Sequence, residues 1–263
     1  MRASVLQFQP RLGDRAGNLT RLQEMLAPLK TDLVVLPELV TSGYFFADQD
    51  ELLPLAEEAG NSDAFYLFHA LATNNDFSIV YGYPEFASGR IYNSCMLINP
   101  DGSFYNYRKV HLFDREKLLF SPGNEAFRVY PAKGNVRVGM MICFDWIFPE
   151  AMRSLALQGA QLICHPANLV LPWCQQAMKI RALENRVFCL TANRFGEESN
   201  AGMKLSFTGG SQILDCQGDL LTNLPASGNA IATVDINPEF ADNKQLGTAN
   251  NLFTDRKPEF YSL

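Results

Sequence analysis

The longest uninterrupted apolar runs in this chain are only strand-length, Val138-Gly139-Met140-Met141-Ile142-Cys143-Phe144 being the clearest. A membrane-spanning helix needs about 20 such residues, so none is expected. Runs this short, bounded by turn residues, read instead as buried strands. Leu33-Val34-Val35-Leu36, Ser78-Ile79-Val80-Tyr81-Gly82, Gln161 to His165 and Phe188 to Asn193 repeat the pattern, and Met1 to Phe8 alternates like a first strand. About ten strands are predicted in all. Helical patterns lie between some of them. Asn18 to Leu29 sets Leu19, Leu22, Met25, Leu26 and Leu29 on one face, and Ser62 can cap a helix through Ala72 that holds His69 beside the core. Asn99-Pro100-Asp101-Gly102 and Asp215-Cys216-Gln217-Gly218 each join two extended segments, a shared layout that hints at two similar halves. Sheets flanked by helices, a layered α/β sandwich, is the natural packing.

At 263 residues, with no linker rich in Pro, Gly or Ser, the chain reads as one large domain. Apolar residues at 47% and charged residues at 19% exclude intrinsic disorder. A net charge of −6 argues against nucleic acid or an anionic membrane as the main partner. The six cysteines are too sparse for a disulfide scaffold, none forms a CxxC pair, and the three histidines are scattered. No metal site is expected from them, and with no export signal at the amino terminus the expected compartment is a reducing cytoplasm.

Three segments carry chemistry. The strand of Val138 to Phe144 ends on Cys143, and Asp145-Trp146-Ile147-Phe148-Pro149-Glu150 then enters a helix that stops at Gly159. Strand, sharp turn and helix expose a nucleophile near a helix amino terminus that favours thiolate. A buried structural cysteine is the alternative. Histidine partners are poor: His165 adjoins Cys164 in a strand, so the two side chains point to opposite faces, while His111 and His69 lie elsewhere. Glu38 follows the buried strand Leu33 to Leu36, at the carboxyl edge where α/β sites assemble, and can serve as a general base or as an ordinary loop glutamate. From Tyr105 to Phe113 the pattern has period two, so Lys109 and Arg108 face opposite sides and one of them should turn inward. A buried lysine needs a partner, for which Glu38 and Glu116 are the candidates.

Taken together, Leu36-Pro37-Glu38 with Gly43-Tyr44, then YRKVHLF, then GMMICFDWIFPE resemble the three signature blocks of the nitrilase superfamily of carbon–nitrogen hydrolases. Ser121-Pro122-Gly123, HPANLVLP, RALENRVF, ANRFGEE and the terminal Asp255 to Tyr261 extend the resemblance over nearly the whole chain. It is most similar to the small aliphatic amidase, carbamoylputrescine amidase and archaeal nitrilase branches. The resemblance implies Cys143 as nucleophile, Glu38 as general base and acid, Lys109 as cationic oxyanion stabiliser and Glu116 as a second glutamate orienting lysine or substrate. The backbone N–H of Phe144 assists at the oxyanion, and no cofactor is implied. It further implies an α-β-β-α sandwich over residues 1–238, a carboxyl-terminal extension over residues 239–263 packing on the domain or on a partner, and αββα-αββα layering on homodimerisation. The expected reaction is hydrolysis of a small non-peptide amide through a cysteinyl thioester. Nitriles and N-carbamoyl amines are the rival substrates, and a catalytically silent binding protein is the rival outside catalysis. Tyr44, Phe45, Phe46, Pro172 and Trp173 are candidates for the wall of an apolar pocket.

Overall fold

The computed structural model describes residues 1–261; Ser262 and Leu263, the end of the expected carboxyl-terminal extension, lie outside the described residues. The first half of the chain runs β1 (Arg2–Gln7), α1 (Arg15–Leu26), β2 (Leu33–Val35), α2 (Gln49–Leu52), α3 (Asp63–Asn75), β3 (Ser78–Ala87), β4 (Arg90–Ile98), β5 (Phe104–Arg108) and the single turn α4 (Glu116–Leu119). The second runs β6 (Val129–Ala132), β7 (Val136–Met140), α5 (Pro149–Leu157), β8 (Leu162–Ala167), α6 (Cys174–Asn185) and β9 (Phe188–Asn193). Five more strands follow: β10 (Phe195–Asn200), β11 (Met203–Thr208), β12 (Gln212–Leu214), β13 (Leu220–Asn223) and β14 (Ala230–Asp235).

The strands form two six-stranded sheets, ordered β14-β1-β2-β3-β4-β5 and β13-β12-β9-β8-β7-β6, with β10 and β11 as a separate hairpin. Each sheet has three parallel strands at its centre, in register at Val5, Val35 and Val80 in one and at Val138, Leu162 and Phe188 in the other. Antiparallel strands flank both trios. The hint of two similar halves is therefore a property of the sheets.

Strand periodicity sorts the core into layers. Val5, Val35 and Val80 face the second sheet and pack with Val138 and Met140. Their neighbours Leu6, Val34 and Ile79 face outward, onto Leu22 and Leu26 of α1 and Phe68 and Ala72 of α3. On the other side, Leu155 of α5 and Met178 of α6 cover the second sheet. The result is the α-β-β-α sandwich expected from the sequence. Among the described residues, no helix is long and apolar enough to cross a membrane.

Several boundaries differ from the sequence reading. Strand content exceeds the expected ten because the hairpin and the short edge strands carry no apolar run. α1 starts at Arg15, where Asp14 accepts the Gly17 N–H at 3.0 Å, and it ends before Leu29. α3 begins at the expected Ser62 cap but continues to Asn75, stopped by Asp76 at φ 55°. Beyond Phe240, Asp242 pairs with Arg137, Lys244 donates to the Asn185 and Arg186 carbonyls at 2.9 Å each, and Phe253 packs on the core below Arg153.

Candidate active site

The strand leading to Cys143 is shorter than its apolar run suggests. β7 ends at Met140, and Cys143 opens a tight turn over Cys143–Ile147 before Pro149 starts α5. Cys143 has φ 39°, a left-handed conformation that is strained for a side chain with a Cβ and typical of an exposed nucleophile on a sharp turn. Asp145 holds the turn closed: its carboxylate accepts the Ile142 N–H at 2.8 Å, and its own N–H reaches the Ile142 carbonyl at 3.0 Å. The expected thiolate is not favoured here. Burial, followed by the negative charge of Glu38, pushes the Cys143 thiol well above its ordinary range, and Lys109 offsets this only in part.

Glu38 sits on a loop that leaves β2 and passes directly over β3. The Leu36 N–H reaches the Val80 carbonyl, the Val40 N–H reaches the Gly82 carbonyl, and the Gly82 N–H returns to Pro37. A Cβ at Gly82 would stand 2.6 Å from the Glu38 Cα, so only glycine permits this approach. Lys109 follows β5, its N–H bound to the Asn93 carbonyl and its carbonyl to the Gly123 N–H, both at 2.8 Å. The side chains of Lys109 and Glu38 have no exposed surface. Lys109 Nζ donates to Glu38 Oε1 at 2.6 Å and to Glu116 Oε1 at 2.8 Å. Both sequence-stated partners are thus engaged at once. Burial alone would strip the ammonium of its proton, but Glu116 and Glu38 outweigh it and raise the lysine above its ordinary value. Arg108, on the opposite face, pairs with buried Glu85, so neither basic residue is a freely solvated strand charge.

Other polar groups complete the cluster, and apart from that of Glu116 the sequence reading missed their roles. Asn93 Nδ2 donates to Glu38 Oε1 at 2.7 Å, leaving Oε2 buried without a partner. Glu116, whose carboxyl is raised by burial, accepts the Phe113 N–H at 3.0 Å and the Tyr44 hydroxyl at 2.7 Å. Tyr44, Phe45 and Phe46, expected as pocket wall, line a small cavity, where Tyr44 is also a hydrogen-bond donor and Phe46 is buried. Glu198, fixed by Arg194 at 2.7 Å, accepts the backbone N–H groups of Tyr44 and Phe45 and holds that loop in place. Asn168 Nδ2 donates to the Glu38 carbonyl at 3.0 Å. Signals existed for Tyr44, Asn168 and Asp145, which lie inside the quoted blocks; Asn93 has none, because only the pairing of β4 with β5 brings it to Lys109.

The histidines take structural places. His165 Nε2 donates to the Cys143 carbonyl at 2.9 Å, and burial lowers its affinity for a proton, so the ring is neutral and turned to backbone. His111 Nδ1 binds Asp145 at 2.7 Å and its ring stacks on Phe148. His69 packs beside Phe65 on α3.

Cys143 and Asn168 open onto a pocket walled by Phe113, Phe144, Trp146, Leu169, Val170 and Trp173, among others. A second small cavity, with Phe113 between the two, is lined by Tyr44, Arg115 and Glu116. The arrangement supplies a thiol, a buried carboxylate with a free oxygen, and a fixed ammonium.

The family model described as carbon–nitrogen hydrolase matches residues 2–243. A nitrilase of Pyrococcus abyssi is 36% identical over 99% of both chains, and a citrullinase of Francisella tularensis is 33% identical over 94% of this chain and 92% of its own. Among solved structures, a carbon–nitrogen hydrolase from Helicobacter pylori superposes with a TM-score of 0.86 at 25% identity, covering 99% of this chain and 96% of that one. With the sandwich, the strained cysteine turn and the buried ion cluster already in view, a match of this extent makes the chain a member of the carbon–nitrogen hydrolase family.

Proposed function

We propose that the protein hydrolyses small amides through a thioester on Cys143, with Glu38, Lys109 and Glu116 as its catalytic partners. The observation that carries this reading is the buried Lys109 ammonium, bound by two carboxylates, with the Cys143 thiol within electrostatic reach of all three. A raised thiol needs a base at the moment of attack, and Glu38 Oε2 is the unpartnered oxygen able to take its proton. Sulfur then bonds to the amide carbon, and the carbonyl π electrons move to oxygen. Lys109 and the Phe144 N–H stabilise that oxyanion. Collapse expels the amine with the proton returned by Glu38, giving the thioester. Glu38 next takes a proton from water, which attacks the thioester, and the thiol leaves reprotonated. Glu116 and Tyr44 hold the ammonium in position throughout.

A nitrile would enter the same cycle through a thioimidate, and the relative named nitrilase favours that second reading. A silent binding protein is disfavoured by the presence together of Glu38, Lys109 and Cys143. Assembly as a dimer, giving αββα-αββα layers, is part of the proposal. Leu157 on α5 and Ile180 and Leu183 on α6 are exposed apolar residues on the helices flanking the nucleophile strand, which supports a face for a second copy. Hydrolysis in a reducing cytoplasm fits six free cysteines.

The deciding measurement is mass spectrometry of enzyme quenched during amide turnover, with hydroxylamine as a competing acceptor. An acyl adduct on the peptide holding Cys143, with hydroxamate formed at the expense of acid, is expected. Undiminished hydrolysis by Cys143→Ala overturns the mechanism.

A further inference from the structure

The pocket beside Cys143 differs in character from the ion cluster behind it. Phe113, Phe144, Trp146, Leu169, Val170 and Trp173 give it largely apolar walls, whose polar groups are the Cys143 thiol, the Asn168 amide and the two indoles. Among the described residues, no Asp, Glu, Lys, Arg or His lines it. An ammonium or carboxylate brought there would lose water and gain no partner, which is costly, whereas an alkyl chain gains from every methylene covered.

Asn168 is 2% exposed, and its orientation is fixed. Its Nδ2 faces the Glu38 carbonyl, which can only accept, so the carbonyl end is the free end. Asn168 Oδ1 is buried and has no partner in the protein. A buried acceptor without a donor marks a place where something else supplies one. Asn168 lines the same pocket as the thiol, and its side chain is tethered to the residue proposed to protonate the leaving nitrogen.

We propose that this pocket takes the uncharged, apolar acyl chain of a primary carboxamide, with Asn168 Oδ1 accepting one of the two amide N–H groups. The inference rests on the amidase reading above and narrows it. Diamine-derived and amino-acid-derived ureido compounds, which carry charge, are poor occupants. A nitrile has no N–H to offer and leaves Asn168 unsatisfied, so the amide is the better substrate of the two.

The test compares four compounds of similar length on the wild-type protein, with ammonia release as the readout: pentanamide, protonated 4-aminobutanamide, glutaramate and pentanenitrile. Pentanamide is expected to exceed both charged amides in kcat/KM by at least about 100-fold. Val170→Asp, which sets a carboxylate in the wall, should shift the ratio of 4-aminobutanamide to pentanamide by about tenfold or more in favour of the cation. Asn168→Ala should lower kcat/KM for pentanamide at least about tenfold more than for pentanenitrile, the loss common to both reporting the tether to Glu38. A charged amide turned over as well as pentanamide, by an activity lost in Cys143→Ala, overturns the pocket assignment and leaves the amidase reading intact. Equal loss on amide and nitrile in a folded Asn168→Ala overturns the role of Asn168. Absence of Cys143-dependent ammonia from all four compounds removes the amidase reading, and the inference with it. The wild-type comparison stands even if a variant fails to fold.

Discussion

A lysine ammonium with no exposed side-chain surface survives in a protein interior only when its charge is answered, and Lys109 is answered twice. The geometry demands a compact point charge at one spot. Lys109→Arg is therefore expected to reduce kcat by roughly 1000-fold, since a planar fork cannot keep both carboxylates and one oxyanion in reach. Steady-state ammonia release on the best amide checks this, with circular dichroism to confirm folding; near wild-type kcat would refute the role of Lys109. Gly82 is the second exposed point. Gly82→Ala must push the Glu38 backbone away, and kcat should fall at least about tenfold with the thiol still open to alkylation. That Lys109 turns inward was legible, because strand periodicity assigns faces. That Asn93 meets Glu38 was not, because no local pattern tells which residue on a neighbouring strand stands opposite. Nor does a run of apolar residues reveal how far the thiol at its end is pushed up, which depends first on its burial and then on how near a carboxylate is.

Two elements meet at Asp145. β5 reaches it through the Tyr107 hydroxyl at 2.7 Å and the segment after β5 through the His111 ring at 2.7 Å, while the cysteine turn reaches it through the Ile142 N–H. One carboxylate thus sets the spacing between the segment carrying Lys109 and the segment carrying Cys143. Asp145→Asn replaces acceptor capacity with a donor facing other donors. It should lower Tm by roughly 5 to 10 °C and kcat more than tenfold, as calorimetry and steady-state kinetics would read. Glu57, bound to the edge of β3 through the Pro84 carbonyl, offers a pH test. Burial raises its carboxyl above the ordinary value, so the folded state holds its proton more tightly than the unfolded chain. Its contribution is fully present below the unfolded pKa, about 4.5, and is lost as pH climbs through the raised folded value. Glu57→Gln should accordingly flatten the decline of Tm over that interval, and an unchanged slope would refute the assignment. The element boundaries most at odds with the sequence are those fixed by caps and turns, such as the Asp14 cap and the Cys143 bend, where a single hydrogen bond outweighs a run of apolar residues.

At the scale of the whole molecule, the candidate site is a joint product of two sheets: Glu38 and Lys109 come from one and Cys143 from the other. Light scattering at micromolar concentration should give at least twice the chain mass of 29.4 kDa if α5 and α6 carry the second copy, and a single-chain mass would contradict it. The sandwich itself was legible because the central strands carry apolar runs such as Leu33 to Val35; the pairing of its first and last strands was not. β14 lies against β1, from Arg2 with Asp235 to Gln7 with Ala230. The first sheet therefore waits for β14 to be synthesised. A ribosome-held chain that has not yet delivered Ala230 to Asp235 exposes the bare edge of β1, with its unpaired amides open to any other strand. Emergence of β14, rather than of Glu38, Lys109 and Cys143, is then the moment at which the first sheet can close. Premature stops shortly before Ala230 should yield aggregates rather than weak enzymes.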